Sequence, residues 1–406
     1  MARNSGLLAG LALLLLLAGA SPALATPQAC AAGPLVEHWD GTAWAQMPLA
    51  GAGQLATIAA VGATDVWALG TEPVSDVVID QPIAEHWDGS SWQSVPIPRP
   101  KGADEAYLVD AAVVSATDIW AVGYWSGSGT QGYRTLVEHW NGTAWKVVRT
   151  PSPLAGSLLS GVTAVSADNV WAVGRSVAAF RPSHPSTTPL RTLVLHWNGA
   201  VWKRVKSPTP ASSSRKGALR DASLSDVDAV SESNVWAVGT YFRRARNGRH
   251  AYQTLVLHWN GNAWRKLPSA NPGGIRHMNT LEAVAAGPGG EVWATGSYHT
   301  SGGGRLLGEH RRGGSWKAVR MPSLQTPHAP EPGLASLSPL GAGDVWASGW
   351  YLDDDGLVEQ PLVAHWNGSA WRLVPTPKVG IDSWLAGIAA VSESDVWAVG
   401  GWDSCR

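Results

Sequence analysis

The sequence contains little charge and almost no cysteine. Charged residues make up 15% of the 406 residues, and the formal net charge is −1. Nucleic-acid-binding proteins normally present a strongly basic surface, so we expect no nucleic-acid partner. The only two cysteines, Cys30 and Cys405, lie near opposite ends of the chain. The chain can therefore form at most one disulfide of its own.

Long hydrophobic runs are also missing, except near the N-terminus. The apolar run from Leu7 to Ala18 is shorter than the about 20 residues that a membrane-spanning helix needs. Arg3 precedes this run and Ala23-Leu24-Ala25 follows it, which is the pattern of a signal peptide with a small-residue cleavage site. We predict that residues 1–25 are a signal peptide, that residues 26–406 form one secreted domain, and that the mature chain has no membrane span.

Glycine, proline and tryptophan are abundant, with 46, 27 and 24 copies. Many turn residues and few charges are typical of all-β chains with short strands. One motif, seen clearly in residues 193–202, places a tryptophan six residues after a histidine. In six of seven copies Asn-Gly or Asp-Gly lies between them, which predicts a hairpin with a two-residue type I′ turn. The histidines are His38, His86, His139, His196, His258, His310 and His365, and the tryptophans are Trp44, Trp92, Trp145, Trp202, Trp264, Trp316 and Trp371.

A second hairpin motif alternates with the first. In residues 390–400 a strand enters a short Ser/Glu/Asp turn, and Val-Trp-Ala-Val-Gly leaves it. Its tryptophan recurs seven times, at Trp67, Trp120, Trp171, Trp236, Trp293, Trp346 and Trp397. Two hairpins in each repeat give four short antiparallel strands, and seven repeats predict an all-β, seven-bladed β-propeller.

The arrangement resembles the kelch-like propellers, the type also found in the central domain of galactose oxidase. Val235-Trp-Ala-Val-Gly239 matches the second strand of that family's blade, residues 255–260 match the third, and residues 263–267 match the fourth. The resemblance covers residues 31–402. The copper and the modified Tyr–Cys pair of galactose oxidase are not implied, because both cysteines lie at the ends of the chain. We expect no cofactor.

The kelch-like strand order also predicts how the ring closes. The mature chain begins on a third strand and ends on a second strand, so residues 35–48 and 385–400 share the last blade. Such closure leaves no open edge, and we expect a monomer. Cys30 and Cys405 each lie five residues from these strands, where other blades have a covalent loop. We predict a Cys30–Cys405 disulfide, which would persist in an oxidising environment outside the cell.

The repeated histidines do not predict a metal site. They are spread around the ring, whereas the ligands of one ion lie within about 2 Å of a common point. A repeated structural hydrogen bond explains them, and we expect no metal.

The long connections between strands all emerge on one face, called the long-loop face below, where function is expected. An aromatic residue follows the second-strand glycine by two positions in five blades, and its ring is a candidate platform for sugars or a packing position set by the repeat. These candidate ligand-binding residues are Trp125, Tyr241, Tyr298, Tyr351 and Trp402.

Charge is segregated along the chain. Residues 175–276 hold sixteen Lys/Arg and four Asp/Glu, whereas residues 344–406 hold nine acids and three bases. Such a field steers an anionic glycan or a charged protein partner, unless it is only a solvated surface.

Two main functions fit these observations. A non-catalytic binding or interaction module is favoured, most specifically a lectin-like glycan binder. The alternative is an exported hydrolase or lyase acting on polysaccharide through a pair of loop carboxylates. The candidate carboxylates are Asp76, Asp80, Asp104, Glu105, Asp353, Asp354 and Asp355. A structural or adhesive role is the third option.

Overall fold

The computed structural model describes residues 31–404 apart from 50, 52, 74–79, 131, 155, 178–188, 212–220, 245–249, 313, 325–330 and 354–357. Within these residues, 28 strands form seven antiparallel sheets of four strands. The predicted seven-bladed propeller is therefore confirmed. Both cysteines and the predicted signal peptide lie outside the described residues. In the described part of the chain, no helix has the length and apolarity to cross a membrane.

Each blade runs from an inner first strand to an outer fourth strand. The first two strands of the chain, β1 (Ala32–Trp39) and β2 (Trp44–Gln46), belong to the last blade. Blade 1 contains β3 (Gln54–Gly62), β4 (Asp65–Pro73), β5 (Asp80–Trp87) and β6 (Trp92–Ser94); blade 2 contains β7 (Glu105–Ser115), β8 (Asp118–Ser126), β9 (Arg134–Trp140) and β10 (Trp145–Val147); blade 3 contains β11 (Gly156–Ser166), β12 (Asn169–Val177), β13 (Leu190–Trp197) and β14 (Trp202–Arg204).

The remaining blades repeat this order. Blade 4 contains β15 (Ala222–Ser231), β16 (Asn234–Arg244), β17 (His250–Trp259) and β18 (Trp264–Leu267); blade 5 contains β19 (Asn279–Ala286), β20 (Val292–Thr300), β21 (Gly303–Arg312) and β22 (Ser315–Val319); blade 6 contains β23 (Pro332–Gly341), β24 (Asp344–Leu352), β25 (Glu359–Trp366) and β26 (Trp371–Val374); blade 7 contains β27 (Asp382–Ser392) and β28 (Asp395–Asp403), followed in space by β1 and β2.

The ends of the chain close the ring. Strand β1 pairs with β28 from Ala32↔Asp403 to Trp39↔Val396, so blade 7 is assembled from both termini as predicted. This pairing covers edges that would otherwise expose unpaired backbone groups.

Tryptophans join neighbouring blades. Each second-strand tryptophan lies 3.9–4.3 Å, between ring centroids, from the repeated histidine of its own blade. Trp171, which is 2% exposed, also contacts Trp259 at 5.0 Å and Trp264 at 5.5 Å in the next blade. In blade 5, Arg311 replaces the first of these two tryptophans, and its guanidinium lies 4.7 Å from the Trp236 ring. The cation–π contact thus preserves the interblade packing.

Six of the seven repeated histidines make the structural hydrogen bond that the sequence predicted. In four blades Nε2 lies 2.8 Å from an aspartate Oδ1, as in His139–Asp118. In blades 3 and 4 the partner is the side-chain oxygen of Asn169 or Asn234, at 2.9 and 2.8 Å.

The predicted two-residue type I′ turn is wrong. The flanking tryptophans Trp140 and Trp145 pair directly, so the connection has four residues. Gly142 has a φ of 86°, but among the described residues no residue other than glycine has a positive φ. Instead, the Asn141 side-chain oxygen accepts hydrogen bonds from the backbone N–H groups of Thr143 and Ala144, at 3.1 and 3.0 Å. This side-chain acceptor forms the turn without a left-handed asparagine.

Candidate functional site

The five aromatic residues predicted as ligand contacts all pack between blades. Tyr241 is 7% exposed, and Lys266 Nζ lies 3.8 Å from its ring centroid. Trp125, Tyr298, Tyr351 and Trp402 are half-buried against the apolar clusters that join each of their blades to the preceding one. These contacts correspond to the packing alternative, and a ligand role for the five residues stays a prediction.

A different aromatic group borders an open cleft on the long-loop face. The cleft has a volume of about 510 Å³ and lies where blades 7, 1 and 2 meet at the central channel. Its lining includes Gln54, Thr71, Asp80, Tyr107, Tyr124 and Trp384.

Three tyrosines of blade 2 form a continuous cluster at this cleft. Tyr107 and Tyr124 are stacked, with ring centroids 4.9 Å apart, and Tyr133 meets Tyr124 edge-on at 4.9 Å. Tyr107 and Tyr124 face each other because their strands, β7 and β8, pair at these positions. Tyr133 is 36% exposed, so the cluster offers an accessible aromatic surface.

Trp384, on the inner strand of blade 7, lines the same cleft. It lies on β27 and pairs with Gly401, where a Cβ atom would be 2.6 Å from the Trp384 ring. Blade 7 alone has a second glycine after the second-strand glycine, and the tryptophan ring explains why a side chain is excluded there.

Carboxylates lie beside the tyrosines. The Tyr107 hydroxyl donates a hydrogen bond to Asp80 Oδ2, and Ser126 Oγ donates to Glu105 Oε2 at 3.2 Å. Burial, the bond to Asp80 and the charges of Asp80 and Glu105 hold the pKa of Tyr107 well above its ordinary value. Burial and the same two charges also raise the pKa of Tyr133. The field of both carboxylates therefore extends over the aromatic cluster.

The structure separates the carboxylates that were predicted as catalytic candidates. Asp80 and Glu105 lie beside Tyr107, whereas Asp353 directly follows β24 in blade 6, and its N–H donates to the carbonyl of Val358. Asp104 precedes β7, and its N–H donates to the carbonyl of Ser126. The remaining candidates, Asp76, Asp354 and Asp355, lie outside the described residues.

Further acidic residues lie on the inner strands of blades 2, 4 and 5. Asp110 accepts hydrogen bonds from the N–H groups of Val162 and Ala111, at 2.7 and 2.9 Å, and burial raises its pKa to about 7. Asp226 and Asp228 bond in the same way to the N–H groups of blade 5. Burial raises the pKa of Glu282, on β19, to about 7. Among the described residues no group of three or more His, Cys, Asp or Glu side chains is arranged to hold a metal ion.

A cation of the next blade adjoins the aromatic cluster. Arg175 is exposed on β12 and occupies in blade 3 the position that Tyr124 has in blade 2, directly after the second-strand glycine. Its charge reaches Tyr124, Asp221 and Tyr252. The rim therefore changes from negative to positive between blades 1 and 3.

Sequence reasoning missed the cleft because it followed the repeated aromatic position. A side chain that packs between blades recurs around the ring, whereas a binding site formed once depends on residues that differ from blade to blade. The informative position was the one directly after the second-strand glycine, where six residue types occur in the seven blades: Thr71, Tyr124, Arg175, Thr240, Ser297, Trp350 and Gly401.

The described chain is thus an all-β, seven-bladed propeller with an aromatic and acidic cleft on its long-loop face. No protein-family model and no curated protein matches it. YCF48 from Cyanidioschyzon merolae has a TM-score of 0.50 and 15% identity, covering 88% of this chain and 96% of that one. A GH74 xyloglucanase from Xanthomonas campestris has a TM-score of 0.52 and 13% identity, covering 88% of this chain and 55% of that one. At these identities the likeness shows the propeller fold alone.

Proposed function

We propose that the protein is a secreted glycan-binding propeller whose binding site is the cleft lined by Tyr107, Tyr124 and Trp384, with the Tyr133 ring packed edge-on against Tyr124 beside it. The observation that carries the proposal is the stacked tyrosine cluster with one ring exposed, beside a carboxylate that already accepts a hydroxyl hydrogen bond. Sugar rings present apolar C–H faces that stack on aromatic rings, and their hydroxyls donate to carboxylates.

The cleft is suited in size and position to this role. A volume of about 510 Å³ falls within the range of small-molecule sites, roughly 300–1,000 Å³. The site is held by paired strands of a closed ring, so little order has to be gained when the ligand binds. The propeller fold of the xyloglucanase is compatible with a carbohydrate ligand, although at 13% identity it does not identify one.

A polysaccharide-acting enzyme is the second candidate, because Asp80 and Glu105 both act on the same tyrosine. In a retaining or inverting glycosidase two carboxyl groups flank the scissile bond. Binding is favoured, since Asp80 Oδ2 already accepts the Tyr107 hydroxyl bond.

Export and the resemblance to kelch-like propellers are parts of the same proposal. A signal peptide ending near Ala25 and the kelch-like strand motifs support them. Secretion would bring the protein into contact with extracellular polysaccharides.

Binding is tested with an oligosaccharide array followed by calorimetry on the ligands that bind. We expect Tyr107→Ala to weaken binding by about tenfold, because Tyr107 lines the cleft and an aromatic contact contributes up to about 1.5 kcal/mol. Tyr252→Ala is the matched control: this tyrosine also bonds to an aspartate, Asp221 at 3.3 Å, but does not line the cleft.

Equal losses in both variants, or no binding to any oligosaccharide, would contradict the proposal. Release of reducing ends or unsaturated sugars from a bound oligosaccharide would favour the enzyme instead.

A further inference from the structure

We infer that the ligand of the cleft is a cationic amino sugar, a hexosamine whose amine is free rather than acetylated. The inference rests on the proposed glycan-binding function and names the class of sugar. It follows from the charges around the aromatic cluster.

Negative charge surrounds the accessible aromatic surface on the side of blades 1 and 2. Asp80 contacts the edge of the stack through the Tyr107 hydroxyl, and Glu105 lies at the start of the strand that carries Tyr107. Glu72, on the neighbouring strand β4, accepts a bond from Gln81 Nε2 at 2.6 Å. Among the described residues no lysine or arginine forms an ion pair with these carboxylates, since the ion pairs found there all join a histidine to an aspartate on the opposite face.

Aromatic rings and carboxylates attract the same kind of group. The face of a tyrosine ring attracts a cation, and a neighbouring carboxylate strengthens that attraction. Only one carboxylate oxygen of Asp80, Oδ2, is occupied by a described donor, so Oδ1 is available to an ammonium group. A uronic acid would bring its own carboxylate into the same negative field.

A positive side chain lies on the other side of the aromatic cluster from Asp80. The cation Arg175 lies one blade further along, and its charge reaches Tyr124. This gradient orients an amino sugar with its ammonium toward Asp80 and its uncharged end toward Arg175.

The size of the cleft favours a sugar over a simple amine. A small ammonium ion would leave most of the about 510 Å³ unfilled. Gln54 and Thr71 also line the cleft and supply neutral hydrogen-bonding groups for hydroxyls.

Calorimetry with three matched tetrasaccharides tests the inference: glucosamine, N-acetylglucosamine and glucuronic acid oligomers, at a mildly acidic pH where the amine is protonated. We expect the glucosamine oligomer to bind at least about tenfold more tightly than the other two, as expected for one charge-assisted hydrogen bond.

Two variants of opposite charge effect identify the groups responsible. Asp80→Asn keeps an oxygen that accepts the Tyr107 hydroxyl, and we expect it to weaken glucosamine binding about tenfold without lowering the thermal midpoint. Arg175→Gln removes a repelling charge, and we expect about twofold tighter binding of the same oligomer.

The outcomes separate this inference from the proposed function. Equal binding of the acetylated and free-amine oligomers overturns the inference and leaves glycan binding intact. Preference for the glucuronic acid oligomer, lost in Arg175→Gln, also overturns it. Binding of none of the three, nor of any other oligosaccharide, overturns both.

Discussion

At the residue scale, the position before the repeated histidine shows how one side chain depends on the adjacent blade. Four blades have glutamate there, namely Glu37, Glu85, Glu138 and Glu309, while blades 3 and 4 have Leu195 and Leu257. Glu309 accepts a bond from the Ala270 N–H of the preceding blade at 3.1 Å. Glu37 and Glu138 are 0% exposed, and within the described part of the chain their carboxyl oxygens have no hydrogen-bond partner.

The sequence explains this difference. Ala270 lies twelve residues after the histidine of its blade, and the equivalent residues in the blades preceding Glu37 and Glu138 are Pro377 and Pro98. Proline has no N–H to donate. Burial without a donor raises the pKa of Glu37 to about 8 and that of Glu138 to about 9.

These raised pKa values predict that stability falls as the pH rises. The unfolded pKa of glutamate is about 4.3, so between that pH and about 9 the folded state keeps a proton that the unfolded state loses. The free energy of unfolding then decreases by up to about 1.4 kcal/mol per pH unit for each group. Glu138→Leu, which copies Leu195, should therefore raise the stability at about pH 8 by roughly 2 kcal/mol or more and much less at about pH 5.

Urea unfolding at the two pH values measures this effect. Glu309→Leu is the control, because it removes an acceptor and leaves the Ala270 N–H unpaired, so it should gain less or lose stability. An unchanged pH dependence in Glu138→Leu would mean that this carboxyl is not the proton-binding group.

At the element scale, the inner strands form the exposed inner edge of each blade. The N–H groups at this edge have no partner strand and donate instead to side chains of the preceding blade. The Val162 N–H donates to Asp110 at 2.7 Å, and the Ile388 N–H donates to Ser336 at 3.3 Å. The inner-edge aspartates therefore act first as acceptors that tie neighbouring blades together. Their role could not be predicted from one sequence repeat, because donor and acceptor lie 52 residues apart in both pairs.

This arrangement predicts the cost of losing an inner-edge acceptor. Asp110→Ala leaves the buried Val162 N–H unpaired and should lower the free energy of unfolding by about 1–3 kcal/mol. Asp110→Ser, which supplies the same hydroxyl acceptor as Ser336, should restore part of the loss. Thermal unfolding of both variants provides the measurement, and equal losses would show that the N–H is satisfied in another way.

At the scale of the whole molecule, the ring depends on the pairing between β1 and β28. The pairing continues beyond Ala32↔Asp403: Ser404 N donates to the Ala31 carbonyl, and Ala31 N donates to Ser404 Oγ, each at 2.8 Å. The next residues along the two segments are Cys30 and Cys405. Both cysteines lie outside the described residues, and the Cys30–Cys405 disulfide stays a prediction from the sequence.

Reduction of this bond should destabilise the ring. The chain-entropy treatment gives an upper value of roughly 6 kcal/mol for a loop of this length. We expect Cys405→Ser and dithiothreitol-treated wild type to show the same lowered thermal midpoint, with no additive effect of the two.

The intact mass of the secreted, non-reduced protein should correspond to a chain that starts at Thr26 and lacks two hydrogens. Two free thiols would contradict the disulfide, and a retained N-terminus would contradict the predicted cleavage.

The sequence by itself determined the blade count, the strand order and the split blade, because each depends on motifs repeated at short range. His139, Trp145 and the second-strand Trp120 lie within one repeat, and their spacing specifies two hairpins wherever they recur. The same local regularity identified the histidines as structural. It was wrong at the Asn-Gly turn, where a side-chain hydrogen bond replaced the expected backbone conformation.

Only the tertiary structure decided where the cleft lies. Tyr107 and Trp384 are separated by almost the whole ring in sequence, and they line one cleft because the pairing of β1 with β28 places blade 7 beside blade 1. The unpaired glutamates and the inner-edge aspartates likewise depend on which atoms the adjacent blade presents. Repetition encodes contacts within a blade, whereas a site formed once between blades depends on the closed ring.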